Sequence, residues 1–261
     1  MVMVGVHVIG ALAGVALGVG AVFLGRMFIE GARRDRRLRP ELIAAGVRRD
    51  RWELAVAKMD SEDAAERLES FTDLERYGRE DPDAREDIIE LTCTYLRRPF
   101  RFPVEDEQEF EIRLAAQGLL TRHLRRSGSL EFWEVDELDL RDAVLVELDF
   151  ADCDLSGADF GDGVIVGGNF RRARFQRFAN FERTWFTGET DFRAATFPRN
   201  ASFNAAMFAG VTTFAEAEFQ DRVDFGYARV EKPDEAHSWP SPWYVWVASP
   251  VAQGRLVPRK S

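Results

Sequence analysis

The chain has 261 residues, 46% of them apolar, and Phe is used 21 times against 4 for Tyr. A net charge of −10 disfavours direct nucleic-acid binding, which needs a positive surface. Cys93 and Cys153 lie far apart, and His7, His123 and His237 are scattered, so neither a metal spacing nor a catalytic set is present. No cofactor is expected. The two cysteines read as small buried residues in a reducing compartment.

Residues Val2 to Gly25 contain no Asp, Glu, Lys or Arg. At about 1.5 Å per residue such a helix spans roughly 36 Å, enough for a ~30 Å hydrocarbon core. Arg26, Arg33, Arg34, Arg36, Arg37 and Arg39 follow, against Glu30 and Asp35. The positive-inside rule then predicts an uncleaved anchor in the plasma or inner membrane, 1–25, with the N-terminus outside and the rest cytoplasmic. A cleaved signal peptide is the competing reading, but its charge belongs before the apolar run. Residues 1–39 as a whole are expected to contact lipid, the arginines by attraction to anionic head groups. Gly10, Gly14 and Gly18 share one helix face. They read either as a dimerisation surface, giving a homodimer, or as the ordinary glycine content of such an anchor.

A basic juxtamembrane segment and helical stalk is expected over 26–60, and a helical region over 61–130. Pro40 opens the stalk. Ser61 is the expected N-cap of a helix carrying Ala64, Leu68, Phe71 and Leu74, with Gly78 as its end. Asp81-Pro82 starts a second helix with Ile89, Cys93 and Leu96 on one face, stopped at Arg98-Pro99. Phe110, Leu114, Leu119, Leu120 and Leu124 mark a third, ending near Ser127-Gly128.

From Leu140 a large apolar residue returns every five positions through Leu145, Phe150, Leu155, Phe160, Ile165, Phe170 and Phe175. The steps then alternate six and five through Phe181, Phe186, Phe192, Phe197, Phe203, Phe208, Phe214, Phe219, Phe225 and Val230. Most of these centres have Ala, Gly, Cys or Thr two residues before them, as at Ala143, Cys153, Ala158 and Ala201. Period five fits neither a helix nor a simple strand. It calls for a coil with one flat face per five residues.

Ala143-Val144-Leu145, Cys153-Asp154-Leu155 and Ala158-Asp159-Phe160 resemble the A-(D/N)-L-x-x pattern of the pentapeptide-repeat family, and the resemblance implies four faces per coil and so four columns. Leu140, Phe160, Phe181, Phe203 and Phe225 form the first; Leu145, Ile165, Phe186, Phe208 and Val230 the second. Phe150, Phe170, Phe192 and Phe214 form the third; Leu155, Phe175, Phe197 and Phe219 the fourth. Burial of each centre contributes on the order of 1.5–3 kcal/mol before entropy costs. The extra residue in the six-residue steps should bulge at alternate corners.

The same resemblance implies a mainly β fold with α: a right-handed, four-sided parallel β-helix over 131–230, preceded by the small helical region and one N-terminal transmembrane helix. Four stretches further resemble a group of actinobacterial membrane pentapeptide-repeat proteins, a likeness that brings no activity with it. They are Leu74-Glu75-Arg76 with Asp81-Pro82, Ile88 to Arg97, Arg113 to Gln117, and Phe132-Trp133-Glu134.

Glu131-Phe132-Trp133 and the third helix are expected to cap the first coil, and the Pro- and Trp-rich tail 231–261 the last. The tail's Trp239, Trp243 and Trp246 read either as that cover or as a ligand-binding cluster. Residues 131–162 hold twelve acids and one base, Arg141. Asp139 and Asp159 should stack one coil apart, either as an ordinary solvated face or as like charges able to raise a pKa or bind a cation. Asp154 should pair with Arg174 at the surface. Arg171, Arg172, Arg174 and Arg177 form a basic cluster, a candidate protein-binding surface or simply a solvated face. The expected function is a non-enzymatic, membrane-anchored scaffold for a protein partner. The alternatives are a DNA-mimic regulator of a topoisomerase such as gyrase, since some pentapeptide-repeat proteins resemble duplex DNA in shape and charge and protect gyrase, and a dimerising membrane sensor.

Overall fold

The computed structural model describes residues 46–126, 131–198, 200–221, 223–248 and 252–259. The chain divides into two units, Met1–Leu54 and Ala55–Ser261. In the first, the described residues 46–54 are helical, with Arg49 Nε donating to Glu53 at 2.9 Å one turn on. The expected anchor, its glycine face and residues 26–39 lie outside the described residues. Among those described, no helix is long and apolar enough to cross a membrane.

The second unit begins with three helices: α1 (Ala64–Glu80), α2 (Arg85–Leu96) and α3 (Glu107–Leu124). Asp63, not Ser61, caps α1 by accepting from Ala65 N, while Ser61 Oγ accepts from Asp63 N and donates to Glu66. The helix also runs past Gly78. That glycine is buried, and a Cβ there would come within 2.6 Å of the Trp133 ring. It is needed for close packing, not termination. Phe71 and Leu74 are buried as the spacing requires, whereas Leu68 is exposed and Ala64 half-buried. The inner face of α1 is completed by Ser70 and Glu75. Asp81 caps a 3₁₀ turn, Pro82–Ala84, that leads into α2. Ile89, Cys93 and Leu96 are buried. In α3, Phe110 and Leu114 are half-buried and the contact face is Ile112, Ala116, Leu119, Leu120 and Leu124.

Residues 136–230 form a parallel β-solenoid of about four turns. Register is 20 residues between Leu145 and Ile165, 21 from Ile165 to Phe186 and 22 from Phe186 to Phe208. The columns are real stacks. Phe160, Phe181, Phe203 and Phe225 lie 4.8–4.9 Å apart and nearly parallel. The same holds for Phe170, Phe192 and Phe214, for Phe175, Phe197 and Phe219, and for Phe186 over Phe208. Adjacent columns meet edge to face, as Phe181 and Phe192 do at 82°. The one departure is Phe150, turned 70° from Phe170. Here Leu148 occupies the place usually held by a small residue, and the first coil has no ring below it.

Corners come in two kinds. After each centre of the first and third columns the chain makes an i to i+3 turn, such as Ala143 N to Leu140 O and Ala195 N to Phe192 O. Its third residue is left-handed: Asp142, Asp152, Asp162, Arg172, Arg183, Ala194, Ala205, Glu216 and Tyr227 all have φ of 55–61°. This is the geometry of a type II turn. The inserted sixth residue falls at the other corners. In the first two coils, unbroken strands Val144–Asp149 and Val164–Asn169 run through such a corner; after the insertion they split into Trp185–Phe186 and Thr190–Asp191. The split corners pack closely: a Cβ on Gly210 would lie 2.2 Å from Gly188 O.

Both ends are covered. At the start, Gln117 donates to Val146 O and Thr121 to Asp149 O, and Leu124 O accepts from Asp154 N. At the far end Trp239 packs on Phe208, Phe214 and Phe225, and Trp243 on Phe225. A hairpin of Trp243–Trp246 and Gly254–Pro258 then adds an antiparallel strand to Arg229–Val230.

Ala201 lies 4% exposed inside this narrow core. Ala201→Leu should therefore lower stability by about 1–3 kcal/mol. Ala65→Leu, on the exposed face of α1, should stay within about 0.5 kcal/mol. Phe192→Ala, which removes a ring stacked on both sides, should cost about 3–5 kcal/mol. Urea midpoints of the three variants check the order.

Candidate functional site

The outer surface of the coil is set by the residue just before each centre. In the first column these are Asp139, Asp159, Asn180, Ser202 and Asp224, and each accepts from the backbone N–H two residues on. Asp149, Asn169, Asp191 and Thr213 do the same in the third column. These side chains close the type II turns from outside, as Asx turns do. Asp139, Asp149 and Asp159, three of the twelve acids of the early coils, are thus placed by turn chemistry.

Asp139 and Asp159 do stack in register. Their charges are, however, met by Arg141, whose Nε and Nη2 donate to Asp139 at 2.9 and 2.7 Å, and by Arg97 at 2.7 Å. The Arg141 hydrogen bonds hold the Asp139 carboxyl below its usual range, the opposite of the shift expected from like charges alone. Arg172 holds Asp152 down and Arg183 holds Asp162 down, each by paired hydrogen bonds at 2.5–2.7 Å. At Asp191 burial pushes the carboxyl up, but hydrogen bonds from Arg193 outweigh it.

The arginine cluster is not one free surface. Arg172 is bound to Asp152 on the coil below, and Arg177 lies 3.5 Å from Asp136. Arg174 shares only a backbone bridge with Asp154. Asp154 itself is 5% exposed, accepts twice from Gln176 and pairs with Arg126 at 3.0 Å. The end of α3 covers it, so the expected surface pair with Arg174 does not form. Cys153 is free and buried, its thiol pushed up to about 12 by burial, and Cys93 is raised further for the same reason.

A groove of about 510 Å³ runs along the corner between the second and third columns, bordered by Glu147, Asp149, Glu189, Asp191 and Arg193 over a floor of glycines. Among the described residues, no group of three or more His, Cys, Asp or Glu is placed to hold a metal ion.

A polar knot joins the helices to the coil. Glu75 accepts from Arg79 at 3.1 Å, from Arg122 at 3.1 and 3.0 Å, and faces His123 Nε2 at 3.0 Å. The other ring nitrogen of His123 donates to Glu131 O at 2.6 Å, and Trp133 stacks on the ring at 3.7 Å. Burial pushes the Glu75 carboxyl up, but the Arg122 hydrogen bonds and charge, with His123, bring it below its ordinary value. Sequence spacing alone could not find this knot, since its members stand 47 and 48 residues apart.

These features define a parallel β-solenoid with turn-closing polar residues outside and stacked rings inside. The family model described as "Pentapeptide repeats (8 copies)" matches residues 136–162. Match and coil together support a pentapeptide-repeat protein. No curated protein and no solved structure matches the chain.

Because the folded state lowers the Glu75 pKa, the knot's contribution is present above the ordinary carboxylate value of about 4.3 and is lost as pH falls through the folded value. Glu75→Gln should cost about 3 kcal/mol near neutrality, by leaving Arg122 and His123 without their anion. The gap to the unmodified chain should narrow below about pH 4. Urea unfolding at a series of pH values reads both effects.

Proposed function

We propose that the chain is a membrane-anchored, non-enzymatic scaffold that presents a rigid pentapeptide-repeat coil to the cytoplasm for a protein partner. One observation carries this reading: both ends of the solenoid are sealed by the chain's own segments, so the lateral faces are what it offers to others. Those faces are held by a core of stacked rings and by backbone turns that repeat every coil. A surface built so regularly binds with little loss of conformational freedom, which favours association. The apolar run Val2 to Gly25 and the arginines after it support the membrane part of the reading.

The test uses the full chain in native membranes. Photo-crosslinking residues placed at Asn204 and at Arg193 sample two polar faces. The expected result is one protein recurring on one face and missing from the other, in a fraction that resists alkaline extraction. Equal adducts on both faces, or none on either, would rule the scaffold out; release of the chain by alkali would rule out the anchor alone.

A further inference from the structure

Three faces of the coil are polar, and the second column's outer face is not. None of the residues before its centres, Val144, Val164, Trp185, Met207 and Arg229, has a side chain that can accept from the backbone two residues on, although the corners after Leu145 and Ile165 are also left-handed, at Glu147 and Gly167. The row continues through the tail hairpin: Arg229 is opposite Arg255, and Arg255 opposite Trp246. Trp185 and Trp246 are 45% and 48% exposed.

Arg229 and Arg255 are the unusual members. Both are exposed and directly opposed on neighbouring strands, where like charges repel. Arg141, Arg172, Arg183 and Arg193 each bind an acid on the coil. Among the described residues, neither Arg229 nor Arg255 faces a carboxylate within ion-pair distance. They line one side of a cleft of about 430 Å³ whose other walls include Trp246 and Gln253.

We infer that this cleft takes the phosphate of an anionic lipid head group, with Trp246 and Trp185 entering the interfacial layer beside it. Two unpaired guanidinium groups next to a Gln amide make an anion site. Exposed Trp flanking Arg is the composition of a surface resting at a membrane interface. A second copy of the chain is a poorer occupant. Seven strands at ~4.8 Å span only ~29 Å, so a strip about one side chain wide offers a few hundred Å² against the ~800 Å² each partner of a stable interface buries. The inference rests on the membrane-associated reading above and adds a second, lateral contact to it.

The full chain is reconstituted into phosphatidylcholine vesicles, with or without phosphatidylglycerol, containing lipid brominated near the head group. Co-flotation with either vesicle reports the anchor alone. Quenching of Trp246, taken as the difference between the chain and its Trp246→Phe variant, reports the cleft. Quenching should appear with phosphatidylglycerol and fade as salt is raised. In the Arg229→Gln/Arg255→Gln double variant, the preference for anionic vesicles should fall roughly 30-fold, about fivefold per arginine. Inorganic phosphate without vesicles should leave Trp246 emission unchanged. Equal quenching with and without phosphatidylglycerol, quenching unaffected by the double substitution or by salt, or an equal response to inorganic phosphate would overturn the assignment.

Discussion

The interior of the solenoid is one ring wide, and that width governs the rest. Stacked Phe rings 4.7–5.0 Å apart match the spacing of hydrogen-bonded strands, so ring stacking and backbone pairing are satisfied by the same repeat. Neither could be changed without the other. Ala or Thr fills most of the inward positions before a centre; Leu138, Leu148 and Val223 are the larger residues buried there, all in the first or last coil. Offset stacks along a column and edge-to-face contacts between columns are both favourable for aromatic quadrupoles. A square interior provides both at once.

The backbone supplies the second constraint. A left-handed residue at each turn is uncommon for non-glycine side chains, yet Arg183, Ala194 and Tyr227 all adopt it. The cost is offset at the first and third columns by the Asp, Asn, Ser or Thr that closes the turn. Acid placed there for local reasons creates a charged face as a by-product. The left-handed residues Asp152 and Asp162 add acid to the same faces, and Arg172 and Arg183 pair with them from the next coil. Charge on the two capped faces is therefore constrained by folding and is a poor guide to binding.

Much of this was legible in the primary structure. The steps of five and six named every inward centre, because burial in a narrow tube leaves a period that no helix or ordinary strand produces. Asp139 does not stand as a bare like charge above Asp159, because Arg141, two residues on, and Arg97, 42 residues away, both bind it; only the second of these leaves no trace in the sequence. Gly78 looked like a helix end because a glycine required by a neighbour's ring and one required by a turn are the same letter. The hairpin at the tail has no such period: its strand Gly254–Pro258 pairs antiparallel with Arg229–Val230 from a segment that carries no five-residue step.

Freedom from capping is what separates the second column from the first and third. Where a residue must close a turn, its identity is dictated by geometry; where no side chain caps the corner, solvent and partners bear on it. In water, an uncommitted outward position has no reason to be Trp or Met, or to set two arginines against each other. On the capped faces the same scaffold sets Arg141, Arg172, Arg183 and Arg193 against acids of the coil. The contrast between faces of one coil, built on identical backbone geometry, isolates the part of the surface that folding leaves unexplained. The opposed arginines sit in that part, at the end where the tail returns to the coil.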